Sequence, residues 1–286
     1  LTRAVIPLHL AALLFGASAL FGERIAASST MIVFGRGIFA WSALTLICIF
    51  GAGTPWRNLT PAEAGKLLLA GAMLAVHWIT FFMAVKLGGV AIGTLGFACF
   101  PAFVALLEWA VKRERPALGE WAVIGLVSLG LMLVTPTFDV RDGATVGLLW
   151  GVVSGMIYAV ITLSNRYLAS RASPLHASWW QFLAIALMLA PFSFGEALHL
   201  PAAQWGWLAC LGVLCTALAY TLFIHALQAV KASQAAVVIA LEPVYAIALA
   251  WLLFGHAPTL KMWLGGACIV GAVAWSGLRR GQRRAH

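Results

Sequence analysis

Three ionisable side chains stand inside otherwise apolar runs of this chain: Arg36 in FGRGIFA, His77 in AVHWITFF and Glu242 in IALEPVYAI. Groups of these types bind charge or move protons. Glu242 lies about halfway along its run, where an acidic side chain costs about 2.5–3.5 kcal/mol on membrane-insertion scales. Either it receives a substrate ammonium or a coupling proton, or it stays protonated and hydrogen-bonded to a neighbouring helix. His77 reads either as a proton-coupling group or as a satisfied core histidine. Arg36 can snorkel its head to the outer surface or pair with a carboxylate, so the reading for it is structural. Aromatic residues gather around these positions. Trp78 and Phe81 follow His77, and Trp150, Ser154 and Tyr158 recur at four-residue spacing on one helical face. With Phe97, Phe100, Tyr220 and Glu242 they form a candidate substrate-binding set, an aromatic cavity with few polar groups, as small-molecule sites usually are.

Pro101 and Pro243 interrupt two of the apolar runs. Proline removes a backbone donor, leaving the carbonyls of Phe97 and Ile239 without a helical partner. In hydrocarbon such a carbonyl must be satisfied internally or face a wet cavity. Both prolines are candidate hinges, with plain structural kinks as the alternative. No serine elbow, HExxH pair, carboxylate pair or phosphate-cradling glycine loop occurs. The expectation is no enzyme, no catalytic residue, no metal and no cofactor, and an ATP-driven pump is disfavoured because no nucleotide domain is visible.

The elements that must position these residues are membrane spans. Of 286 residues, 63% are hydrophobic and 9% charged, and the mean hydropathy is +0.96. Soluble domains carry about 25% charged residues. Ten runs approach the ~20 residues needed to cross a bilayer. They cover 5–21, 30–50, 64–85, 92–111 and 118–135, then 146–163, 177–194, 205–227, 235–254 and 260–278. The chain also repeats at a spacing of 142: Phe100-Pro101 falls on Glu242-Pro243, Trp109 on Trp251, Pro116 on Pro258 and Trp121 on Trp263. Trp78 falls on Tyr220 and Phe81 on Phe223 at the same shift. Each half holds five spans, an odd number, so the copies must insert upside down relative to each other. Inverted repeats with broken helices near the midplane are the architecture of secondary transporters. The expected organisation is a first repeat at 1–138, a periplasmic linker at 139–145 and a second repeat at 146–286 with a basic cytoplasmic tail.

With the N-terminus inside, thirteen Lys and Arg fall on the cytoplasmic side and five elsewhere. That is a positive-inside bias, placing both termini in the cytoplasm and the Arg279–Arg284 tail at anionic lipid. It accounts for the net charge of +9 without nucleic acid. Glu108 and Lys112 read as an ordinary i,i+4 pair. Gly147, Gly151 and Gly155 read as a packing stripe, and the five cysteines as small packing residues. The first span looks like a signal peptide, but its repeat partner is the sixth span, so it belongs to the fold.

The runs AYTLFIHALQAVKASQAAVVIALEPVYAIALAWLLFGHAPTLKMW and TFFMAVKLGGVAIGTLGFACFPAFVALLEWAVKRERPALGEW resemble the two EamA repeats of the drug/metabolite transporter superfamily, and Arg36 resembles an arginine of the family pattern. The resemblance covers essentially the whole chain. His256 departs from the pattern, which commonly has a glutamate there; Glu114 keeps it in the first half. The resemblance implies an all-α integral membrane protein of ten helices in two inverted five-helix repeats. It further implies a bacterial inner-membrane exporter of small metabolites, similar to the aromatic amino-acid exporters of the YddG type. Expected partners are an amino acid or related metabolite and the lipid bilayer, with a functional monomer as the default. The competing substrate class is toxic organic cations or drugs.

Overall fold

A computed structural model describes residues 2–57, 59–112, 118–135, 137, 139–167, 173–229, 238–239 and 241–283, and every described element is helical. The elements are α1 (Thr2–Arg24), α2 (Ser29–Ile47), α3 (Pro61–Phe97), α4 (Phe100–Lys112), α5 (Leu118–Val134) and α6 (Gly143–Tyr167). They continue with α7 (Pro174–His199), α8 (Ala202–Gly212), α9 (Ala219–Ala229), α10 (Glu242–Phe254) and α11 (Leu260–Arg283). Two π-helical segments, Cys48–Ala52 and Val213–Leu218, extend α2 and join α8 to α9. Among the described residues six helices are long and apolar enough to cross a membrane, and three shorter apolar ones accompany them. Large apolar side chains such as Phe192, Leu252 and Leu253 face outward. Water would not tolerate so many together, whereas lipid does.

Helix ends follow local chemistry. Thr60 and Glu63 form a capping box at the start of α3, with Pro61 in its first turn, so its orphan donors are satisfied where the helix leaves its loop. Ser28 caps α2 by accepting from the Met31 backbone at 3.1 Å. Asp142 caps α6: its carboxylate accepts from the backbone N–H and the hydroxyl of Thr145, both at 3.0 Å. Those bonds, the backbone one first, hold the Asp142 carboxyl below its ordinary range.

The expected third and fourth spans join and then break differently from the apolar pattern. Residues 61–97 run as one helix bent at Gly89, whose φ of 77° and ψ of 170° suit glycine alone. The expected fourth span is then interrupted at Ala98–Cys99 before α4 begins at Phe100. In the second half α10 begins at Glu242, directly after a turn at Leu241. The two interruptions share one bond. Cys99 N–H donates to Gly96 O at 3.4 Å and Leu241 N–H donates to Val238 O at 3.1 Å. Both pairs are related by the 142-residue shift. Short i→i+3 bonds of this kind close a helix end tightly, so each proline opens a new helix instead of bending an old one.

α3 packs most extensively against α6. Cβ atoms on Gly147, Gly151 and Gly155 would lie 2.5 Å from Gly88 N, 2.9 Å from Gly93 O and 2.9 Å from Phe97 O. The stripe therefore brings two backbones into contact, as the sequence pattern leads one to expect. At one end of the bundle the turn between α1 and α2 is tied down. Glu196 accepts from Ser28 N and Oγ at 2.7 and 2.5 Å, Gln204 accepts from Ala26 N at 3.1 Å, and Lys86 donates to Ile25 O at 3.0 Å. His256 lies 3.3 Å from Glu23 at the same end of α1. The side chains of Glu108, Lys112 and the basic tail, together with residue Glu114, lie outside the described set.

Candidate functional site

A cavity lies among α1, α2, α3, α6, α9 and α10. Phe15, Ser18, Arg36, His77, Trp78, Phe81, Phe97, Tyr158, Tyr220, Phe223, Ile239 and Glu242 line it. Three pairs among its lining residues are repeat mates at the 142 shift: Trp78 with Tyr220, Phe81 with Phe223, and Phe97 with Ile239. Its volume is about 50 Å³, room for a few waters, so a larger guest requires the walls to part.

The wall is aromatic and closely stacked. Phe97 lies parallel to Phe100 at 5.4 Å, and Tyr158 stands edge-on to both at 5.4 and 5.2 Å. Trp78 stacks on Phe182 at 6.1 Å and meets Tyr220 edge-on at 6.2 Å. Phe15 closes the α1 side against Tyr220 and Phe223.

His77 is held from behind. Its Nδ1 lies 3.1 Å from the carbonyl of Ser154 and 2.8 Å from the Ser154 hydroxyl, which itself donates to His77 O at 3.0 Å. A carbonyl only accepts, so Nδ1 carries a proton, and in the neutral ring the lone pair is at Nε2. Ser154 thus orients His77 and does not line the cavity.

Arg36 is 2% exposed. Its guanidinium carbon lies 3.7 Å from the centre of the Trp78 ring and 5.5 Å from that of Phe82, and Nε donates to Thr216 Oγ1 at 3.0 Å. This corrects the sequence reading: the head does not snorkel to a surface but turns inward onto a ring face. Cation–π stacking compensates part of its lost hydration.

Glu242, the first residue of α10, is 9% exposed. It lines the same cavity as Arg36, and the two form no ion pair. Gly16 of α1 lets the helices meet at this point, since a Cβ there would lie 2.8 Å from Glu242 O. The repeat mate of Gly16 is Tyr158, so one copy uses the position for close approach and the other for a ring in the cavity.

Of the expected site residues, His77, Trp78, Phe81, Phe97, Tyr158, Tyr220 and Glu242 meet at this cavity. Phe100 and Pro243 border a smaller one beside it, which shares Phe97, Ile239 and Glu242. Pro101 is the second residue of α4, and its side chain lies outside the described set. Trp150 is not on the wall. It precedes Tyr158 by eight residues on α6, about 12 Å along the axis. The sequence pattern does not single out Phe15, Ser18, Phe223 or Ile239 as site residues. The repeat signals Phe223 and Ile239, as mates of Phe81 and Phe97; Phe15 and Ser18 carry no such signal.

The profile of the EamA-like transporter family matches the chain twice, at residues 2–135 and 145–278. An uncharacterized transporter of Archaeoglobus fulgidus is 27% identical over 272 residues, 93% of this chain and 94% of the relative. The inner membrane transporter YicL of Salmonella typhimurium is 23% identical over 95% of this chain and 94% of its own length. A riboflavin transporter of Rhizobium johnstonii is 27% identical over 76% of this chain and 68% of its own. A solved crystal structure covers 97% of this chain and 98% of its own with a TM-score of 0.66 at 20% identity, which speaks for the fold alone. Two copies of one family profile on a chain of apolar helices lead to one statement: this multi-pass membrane protein belongs to the EamA-like transporter family, within the drug/metabolite transporter superfamily.

Proposed function

We propose that the chain is a secondary transporter that exports amino acids, aromatic and other neutral ones, or similar small metabolites by alternating access around the described cavity. The repeats at 1–138 and 146–286, joined by a periplasmic linker at 139–145, insert in opposite senses. Ten spans leave both termini in the cytoplasm of a bacterial cell, in its inner membrane, and one copy forms the pathway. The observation that carries the reading is the cavity's construction: residues of both copies line it, a helix break with the same short bond adjoins it in each copy, and a carboxylate comes from one copy only. Carriers place their sites between repeats, at discontinuous helices. The tie of the α1–α2 turn to Glu196, Gln204 and Lys86 then lies at the periplasmic face and holds that end together. Pro101 and Pro243 mark the hinges. The YddG-type branch fits the aromatic lining. Among the relatives a riboflavin carrier, also a transporter of a ring-bearing small molecule, supports the coarser reading.

The competing reading, export of toxic organic cations, rests on Glu242 and the ring faces, which suit a cation. Uptake into sealed liposomes separates the two. Labelled phenylalanine, threonine and methionine are expected to enter saturably without an ion gradient, with unlabelled amino acids competing. Glu242→Gln is expected to lower that uptake about tenfold, the scale of one charge-assisted bond. Entry only under an imposed pH gradient would establish proton coupling. If a labelled quaternary ammonium enters and the amino acids do not, the cation reading replaces this one.

A further inference from the structure

We propose that Arg36 is the carboxylate-recognition residue of the cavity, and that a carboxylate is the obligatory group of its ligands. This deepens the carrier reading and rests on it only for the steps after binding.

An arginine has five N–H donors in a rigid fork and keeps its charge in proteins. Thr216 takes one of them, at Nε. Its acceptance is fixed, because the Thr216 hydroxyl proton goes to Leu211 O at 2.9 Å. The Trp78 ring, 3.7 Å from the guanidinium carbon, fixes the plane of the head without using an N–H. Among the described residues the two terminal nitrogens have no hydrogen-bond or ion-pair partner, and the residue lines the cavity. The head is therefore oriented and buried, with no anion in direct contact among the described residues, although Glu242 acts on it from a distance. Glu242 lines the same cavity and does not supply one by direct pairing. A buried charge without a partner is strongly unfavourable, and a planar carboxylate matches the free edge of a guanidinium with two parallel bonds. Because stacking and Thr216 already hold the fork, little ordering remains to be done on binding. Glu242 then meets a cationic group where the ligand has one, as a zwitterion does, but the ligand does not need it.

Equilibrium binding to the purified full chain tests this without transport. Phenylalanine, 3-phenylpropionate and 2-phenylethylamine share the ring suited to this wall and differ in charged groups. By isothermal titration, phenylalanine and 3-phenylpropionate are expected to bind wild type at least about tenfold more tightly than 2-phenylethylamine, the value of a charged hydrogen bond. Arg36→Gln is expected to abolish the preference for the two acids. Arg36→Lys, which keeps the charge and loses the fork, is expected to retain part of it. Equal binding of the amine and the amino acid to wild type overturns the proposal. So does unchanged phenylalanine affinity in Arg36→Gln, or binding of none of the three compounds. Should Arg36→Gln not fold, the discrimination by wild type and Arg36→Lys decides. Carboxylate-selective binding without liposome uptake would sink the carrier reading and leave this one standing. Uptake with no preference for carboxylates would do the reverse.

Discussion

Thr216 uses one hydroxyl twice, accepting from Arg36 Nε and donating to Leu211 O. The i−5 partner is available because 213–218 is π-helical; an ordinary turn would direct that proton to the fourth residue back. Thr216→Val keeps the shape and removes both bonds. A buried donor left unsatisfied costs about 1–3 kcal/mol, so its melting temperature in detergent is expected to fall, with phenylalanine affinity falling less than in Arg36→Gln. Side-chain roles are unevenly legible in the sequence. Glu242 announces itself as an acid in an apolar run, and the repeat pairs Trp78 with Tyr220. Arg36 reads as a surface-seeking cation because spacing along α2 gives its depth but not the direction of its head, which Trp78 and Thr216 determine from two distant helices. Trp150 shares a helical face with Tyr158, but a face says nothing of how far along the axis a cavity extends.

The contact between α3 and α6 depends on three glycines, and its tolerance is testable. A Cβ at Gly151 would lie 2.9 Å from Gly93 O and 3.1 Å from Gly96 Cα, both backbone atoms that cannot swing aside. Gly151→Ala is expected to cost about 1–3 kcal/mol, as overpacking does, seen as a lower melting temperature. Gly65→Ala on the same α3 meets nothing within 4 Å and is expected to raise stability by about 0.4–1 kcal/mol. A result in which both behave alike would remove the close-packing argument. Among elements, the apolar runs locate most helices to within a few residues. The break at Ala98–Cys99 is less visible, because hydropathy continues through it; only Pro101 marks the neighbourhood, and it reads as a bend.

Both family copies lie within one chain, and both contribute residues to the cavity. A mass measured in detergent by light scattering is therefore expected to equal one chain, 30.4 kDa, after subtraction of bound detergent. A dimer would show that a second copy contributes something this architecture does not need. At this scale the sequence is most legible, because duplication writes the same pattern twice and one shift aligns both. The matched turns carry a historical meaning as well. A bond between Gly96 and Cys99 in one half and between Val238 and Leu241 in the other, at one register, is most simply inherited from a single ancestral half-length gene that already held it. Phe100 against Glu242, Ser178 against Arg36 and Ala219 against His77 differ across that register, so these substitutions postdate the doubling. The shared turn is therefore older than the asymmetry of charge between the two copies.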